Sequence, residues 1–169
     1  MNIIVKYGVI DKFIYHIVSL LIVIVMVILT VEIELSVFHF KSVLLYNDIL
    51  TPLIEELFKT LAITFSGAIA ILYTLFFSVA EAINYIILYE KIYQNRNLFS
   101  FALFRILCIF FHFFLLWLQW SGYRLYLEKE KARYWFIGFA SAYSCHFLWN
   151  VGAGRTFYIL FQKVFFLIF

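Results

Sequence analysis

Glu55, Glu56, Lys59, Glu81, Asn84, Arg105, His112, His146 and Asn150 all stand in or beside long apolar stretches of a 169-residue chain. An ionisable side chain at the centre of a bilayer costs about 2.5–3.5 kcal/mol on insertion scales, so each needs a partner or a purpose. Their spacing is informative, because residues three, four or seven apart share a helix face. Glu55 and Lys59 are four apart, Glu56 and Lys59 three, Glu81 and Asn84 three, Arg105 and His112 seven, and His146 and Asn150 four. Four helices, each aiming one polar stripe inward, build a single polar cavity between apolar walls. Taken one at a time, these residues read as structural glue: Lys59 neutralises a glutamate, Arg105 snorkels from a helix end, and the histidines bond between helices. Taken together they exceed that need. Glutamate and histidine in a partly dry pocket are the groups that general acid–base hydrolysis uses to activate water.

The elements that must hold these residues follow from composition. The chain is 66% hydrophobic and 22% aromatic, with 14% charged residues and one proline. That is far more apolar than a domain surrounded by water. The net charge of +3 implies no nucleic-acid partner. Runs without Asp, Glu, Lys or Arg cover Phe13–Val31, Thr60–Ala80, Ile106–Tyr123 and Tyr134–Gly154, each close to the length that crosses a bilayer. The first run is too long for a signal-peptide core and reads as a retained helix. The stretch 51–89 as one helix would be about 60 Å long, more than any bilayer spans. A turn is therefore expected at Ser66-Gly67, folding helices 49–65 and 69–93 into an antiparallel pair with Glu55, Glu56 and Glu81 at similar depth. The segment 33–47 is expected to be interfacial or a partial helix, 124–133 a polar loop, and 156–169 a short last helix. The fold class expected is all-α: a polytopic transmembrane bundle of about six to seven helices, forming one integral membrane domain over residues 1–169. If 33–47 does not cross, the positive-inside rule puts the N-terminus and the 124–133 loop in the cytoplasm.

Four ordered motifs then resemble those of the PrsW-type intramembrane proteases, related to the CPBP/Abi and CAAX-processing (Rce1-type) glutamate proteases. Glu55-Glu56-Leu57-Phe58-Lys59, preceded by Pro52, is similar to their Glu-Glu-x-x-Lys motif. Phe77-x-x-x-Glu81-x-x-Asn84-Tyr85 is similar to the second, Arg105 with His112 and Gly122-Tyr123 to the third, and His146-Phe147-Leu148-Trp149-Asn150 to the fourth. The motif-bearing core is 52–150. The resemblance implies an intramembrane endopeptidase that hydrolyses a peptide bond in a membrane-embedded protein or peptide, in a multi-pass protein of the cell membrane. Glu55 would be the general base, with His112 helping to orient or deprotonate the water. His146 and Asn150 would stabilise the oxyanion. Glu56, Glu81 and Lys59 would tune charge, while Asn84 and Arg105 support them from behind.

The resemblance favours metal-free activation of water, and no cofactor is firmly expected. Zinc stays open, with ligands drawn from Glu55, Glu56, Glu81, His112 and His146. A second class of function is a non-catalytic scaffold or small transporter whose buried carboxylates bind a cation or proton. His16 and His39 read as packed or interfacial residues. Cys108 and Cys145 read as core residues rather than thiol nucleophiles, and Trp117, Trp120 and Trp135 as interfacial anchors.

Overall fold

The structure, a computed structural model, describes residues 9–37, 48–93 and 98–168. Every regular element among them is helical: α1 (Val9–Val37), α2 (Thr51–Phe65), α3 (Gly67–Tyr93), α4 (Leu98–Lys129), α5 (Ala132–Leu148) and α6 (Gly154–Ile168). A π turn, Trp149–Ala153, joins α5 to α6 without interrupting the helical path. The six α-helical segments therefore form five continuous rods among the described residues, fewer than the six to seven helices expected. Three helices are long and apolar enough to cross a membrane, over Ile14–Ile33, Gly67–Leu88 and Leu98–Lys129. The run 134–154 is not one of them, because α5 has 17 residues and then gives way to the π turn. The run 60–80 is shared between two helices, its first six residues completing α2.

Large apolar side chains cover the outside, among them Leu21, Val25 and Ile28 of α1 and Phe110 and Trp117 of α4. Such a surface is costly in water and natural in lipid. The inner stripe of α1 is Ser19, Val23, Met26 and Thr30, spaced four, three and four. Val23 and Met26 pack with Ala62, Ile63, Ile69, Ala70, Tyr73, Phe77 and Leu116 in the apolar core. Thr30 closes its own polar account there, donating to the Met26 carbonyl and bonding the Tyr73 hydroxyl, each at 2.8 Å.

The α2–α3 hairpin turns on Ser66 alone, whose backbone is extended (φ −173°, ψ 157°). Its amide donates to the Ala62 carbonyl at 3.1 Å, ending α2. Its hydroxyl accepts from the Ile69 amide at 3.1 Å, an N-cap that starts α3. Gly67 is required for proximity rather than for backbone freedom, since a Cβ there would lie 2.7 Å from the Trp120 ring. Trp120 thus packs inside the bundle, whereas Trp117 is exposed.

Between α4 and α5 the expected polar loop shrinks to Glu130-Lys131, with Glu130 left-handed at φ 54°. Residues 124–129 continue α4, because Arg124, Leu125, Glu128 and Lys129 are good helix formers and their charges are exposed. Likewise α1 runs to Val37, so 33–37 extends the first helix; His39 and Lys41 lie outside the described residues.

Helices α4 and α5 meet where Gly122 faces Gly138. A Cβ on Gly122 would stand 2.6 Å from the Tyr134 carbonyl oxygen and 2.7 Å from the Gly138 Cα. Both obstacles are backbone, so no side chain can swing aside. Gly122→Ala is expected to lower stability by about 1–3 kcal/mol, read as a fall in thermal unfolding temperature in detergent. An unchanged temperature would mean that the helices do not cross this closely.

Candidate functional site

Each polar stripe comes from one face of one helix. The buried residues of α2 are Pro52, Glu55, Glu56, Lys59, Ala62 and Ile63, a single face that carries both glutamates and the lysine inward. Pro52 lies in the first turn of α2, where a missing amide donor costs no helical bond. The hairpin brings Glu81 of α3 back beside Glu55. The long α4 passes His112 between them, and α5 supplies His146 from its last turn. His112 and His146 stand edge to face, ring centres 5.3 Å apart.

Glu56 is the hub. Its Oε1 accepts from Lys59 Nζ at 2.6 Å and from His146 Nδ1 at 2.8 Å, and its Oε2 accepts from Gln119 Nε2 at 2.5 Å. Glu56 and Lys59 are both wholly buried. Lys59 also donates to His112 Nδ1 at 3.1 Å. His112 Nε2 lies 2.9 Å from Glu81 Oε2, and Arg105 closes the line on Glu81 Oε1 at 3.0 Å while its guanidinium lies over the Tyr85 ring. The result is one buried hydrogen-bonded line, Arg105–Glu81–His112–Lys59–Glu56–His146.

The donors fix both imidazole tautomers. An ammonium only donates, so His112 Nδ1 is an acceptor and the His112 proton sits on Nε2, directed to Glu81. An ionised carboxylate only accepts, so His146 carries its proton on Nδ1, directed to Glu56. With Nδ1 turned to Glu56, the second nitrogen of His146, Nε2, faces Glu55, 3.9 Å from Oε2. His112 Nδ1 is 3.7 Å from the same oxygen.

Glu55, His112 and His146 each place one potential metal-binding atom within 4.8 Å of the others. Their second imidazole nitrogens rest on carboxylates, as metal-bound histidines commonly do. Separation therefore suits zinc, but lone-pair direction does not: His112 Nδ1 accepts from Lys59, and a divalent ion there would meet an ammonium. Only Glu55 and His146 offer donors aimed at open space. As they stand, the three residues do not make a ready zinc site.

The open space is a cavity of about 770 Å³. Glu55, Glu81, Asn84, Arg105, His112, His146 and Asn150 line it, whereas Glu56 and Lys59 do not. Seven of the nine residues singled out from sequence thus face the cavity, and the other two brace them from behind. Cys108 also lines it, and burial beside the polar cluster leaves Cys108 without a base within hydrogen-bonding distance among the described contacts.

Sequence reasoning passed over Gln119 and Thr60. The Gln119 side chain donates to Glu56 Oε2 while its own carbonyl oxygen accepts from the Thr60 hydroxyl at 2.7 Å. The amide cannot flip without losing both bonds, so it clamps the Glu56 carboxylate and, through it, His146. The signal was present: Arg105, His112 and Gln119 recur every seven residues on α4. Gln119→Leu removes the clamp and strips Glu56 Oε2 of its donor inside the bundle, while the Thr60 hydroxyl keeps its bond to the Glu56 carbonyl at 2.9 Å. A loss of about 1–3 kcal/mol is expected, measured by unfolding in detergent, with Gln119→Glu failing to restore stability because it sets two carboxylates together. No family model, no curated protein and no solved structure matches the chain.

Proposed function

We propose that this chain is a multi-pass intramembrane protease of the cell membrane that hydrolyses a peptide bond in a membrane-embedded protein or peptide by metal-free activation of water. The observation that carries this reading is the approach of Glu55 Oε2 to the free nitrogen of His146, 3.9 Å, on the wall of a cavity set among membrane-length helices. A separation of 3.9 Å is one that a single water bridges, which requires the cavity wall to give way at the buried Glu55 Oε2. Glu55 is the general base, and His146 holds the water through Nε2. Glu55 passes the proton it takes from the attacking water to the leaving amine as the C–N bond breaks, while His146 keeps the water's second hydrogen in place and the Asn150 amide donates to the developing oxyanion. His112 has both nitrogens engaged, so its role is to hold Glu81 and Lys59 in register rather than to take a proton.

The test is cleavage of a panel of transmembrane peptides by the purified chain in liposomes, with products read by mass spectrometry. Wild type is expected to cut, His146→Ala to fail, and chelator to leave cutting unchanged. Stoichiometric zinc whose removal stops turnover would overturn the metal-free mechanism; equal cutting by His146→Ala and Glu55→Gln would overturn the protease. One observation favours a second reading, a proton-binding transporter: the unbroken line from Arg105 to His146 is a path along which protons could be relayed. Proton flux into liposomes that survives without any peptide cleavage would select it.

A further inference from the structure

The cavity has two unlike walls. Beside the carboxylates and imidazoles the lining includes Phe104 and Phe111 of α4, Trp149 of the π turn and Tyr158 of α6. Trp149 stacks on Phe111 with ring centres 4.4 Å apart and lies parallel to Phe104 at 6.2 Å. Phe104 in turn meets Tyr158 at 4.9 Å. The wall is fixed from behind as well, for a Cβ on Gly154 would come within 2.8 Å of the Trp149 indole nitrogen. Glycine at that position lets the indole lie flat against the start of α6. The wall also abuts the reacting groups: Phe111 presents itself edge to face to His146 at 6.2 Å, and Trp149 follows His146 by three residues.

Resting on the protease reading, we propose that Phe104, Phe111, Trp149 and Tyr158 form the subsite for a large apolar side chain, aromatic by preference, on the substrate residue next to the bond that is cut. A carbonyl held between Glu55 and His146 puts its neighbouring side chain against Trp149 and Phe111. The rings are locked by one another, so the surface is preformed and its occupant loses little affinity to rearrangement. Aromatic walls also attract cations, but a lysine or arginine side chain laid on these stacked rings gives up its water, and Arg105 and Arg155 on the same lining offset the attraction of Asp48, Glu55 and Glu81. A carboxylate side chain loses its water in the same way. An apolar ring fits without that cost.

The experiment measures binding rather than turnover, on Glu55→Gln protein in nanodiscs, with N-acetyl-phenylalanine methylamide as probe and the alanine and lysine analogues as comparators, read by titration NMR. The phenylalanine probe is expected to bind at least tenfold tighter than either comparator. Trp149→Ala should remove most of that margin, and Phe136→Ala, an exposed residue outside the cavity, should not. Should Trp149→Ala fail to fold, Phe104→Leu supplies the same reading with volume kept. Equal binding of the three probes, a margin that survives the cavity substitutions, or tightest binding of the lysine analogue would each overturn the subsite. A margin that behaves as expected, in a wild-type protein that cuts no peptide, would overturn the protease reading and leave the subsite standing.

Discussion

Glu55→Gln is expected to cut hydrolysis by about 10²- to 10⁴-fold, the span a positioned general base supplies, while leaving the folded bundle intact. The two halves of that expectation have separate grounds. Loss of activity follows because the amide keeps the shape of the carboxylate but cannot take a proton from water. Retention of fold follows from shape: the amide fills the space of the carboxylate and keeps an oxygen that accepts hydrogen bonds, whereas Glu56 is gripped by Lys59 and His146 at 2.6 and 2.8 Å and its charge is matched to the buried ammonium. The adjacent substitution is the control. Glu56→Gln is expected to lower both activity and stability, since it takes a charge from beneath Lys59. Turnover by Glu55→Gln within threefold of wild type, with Glu56→Gln inactive, would exchange the two glutamates in the mechanism.

That exchange of roles between neighbours is where the sequence stops being legible. The cost of charge in an apolar run marks Glu55, Glu56, Lys59, Glu81, Arg105, His112 and His146 without any structure, and helical spacing puts them on inward faces. The hairpin at Ser66 is equally legible, because a bilayer cannot hold the alternative. Which glutamate faces the cavity is not. Glu55 and Glu56 differ by one helical step of rotation, and that step is set by how α2 rolls against α4 and α5. The histidine roles were hidden for a related reason. Each ring shares a helix face with one polar neighbour, His112 with Arg105 and His146 with Asn150, and only Lys59 lying against one nitrogen of His112 distinguishes the two imidazoles. Gln119 carries no charge, so the hydropathy contrast that exposed the others passed over it. The helix count differs because residues 33–37 continue α1, and because nothing local in Trp149–Ala153 announces a π turn that carries α5 into α6.

Lys59→Met is expected to be the most damaging single change to stability, at about 3–5 kcal/mol, the cost of stripping one partner from a buried ion pair. Two acceptors are affected at once inside the bundle: His112 Nδ1 loses the Lys59 donor, and Glu56 Oε1 keeps only His146. Neither can recover by turning to water, for Glu56 is fully buried and His112 is held at its other nitrogen by Glu81. The double substitution Glu56→Gln with Lys59→Met removes both charges and should be less damaging than the sum of the singles by 1 kcal/mol or more, since residues that share one network do not act additively. Unfolding of the four proteins in a detergent series measures that difference, and strict additivity would show that the lysine and glutamate do not depend on each other. A recovered double variant should still not hydrolyse peptide. Glutamine in place of Glu56 no longer obliges His146 to keep its proton on Nδ1, so the Nε2 lone pair aimed at Glu55 is no longer assured. Imidazole ¹⁵N shifts would show this directly, as a mixture of His146 tautomers in the double variant against one in wild type. Stability restored with that single tautomer lost would mean that the buried pair serves chiefly to orient His146, and that packing alone could hold the bundle together.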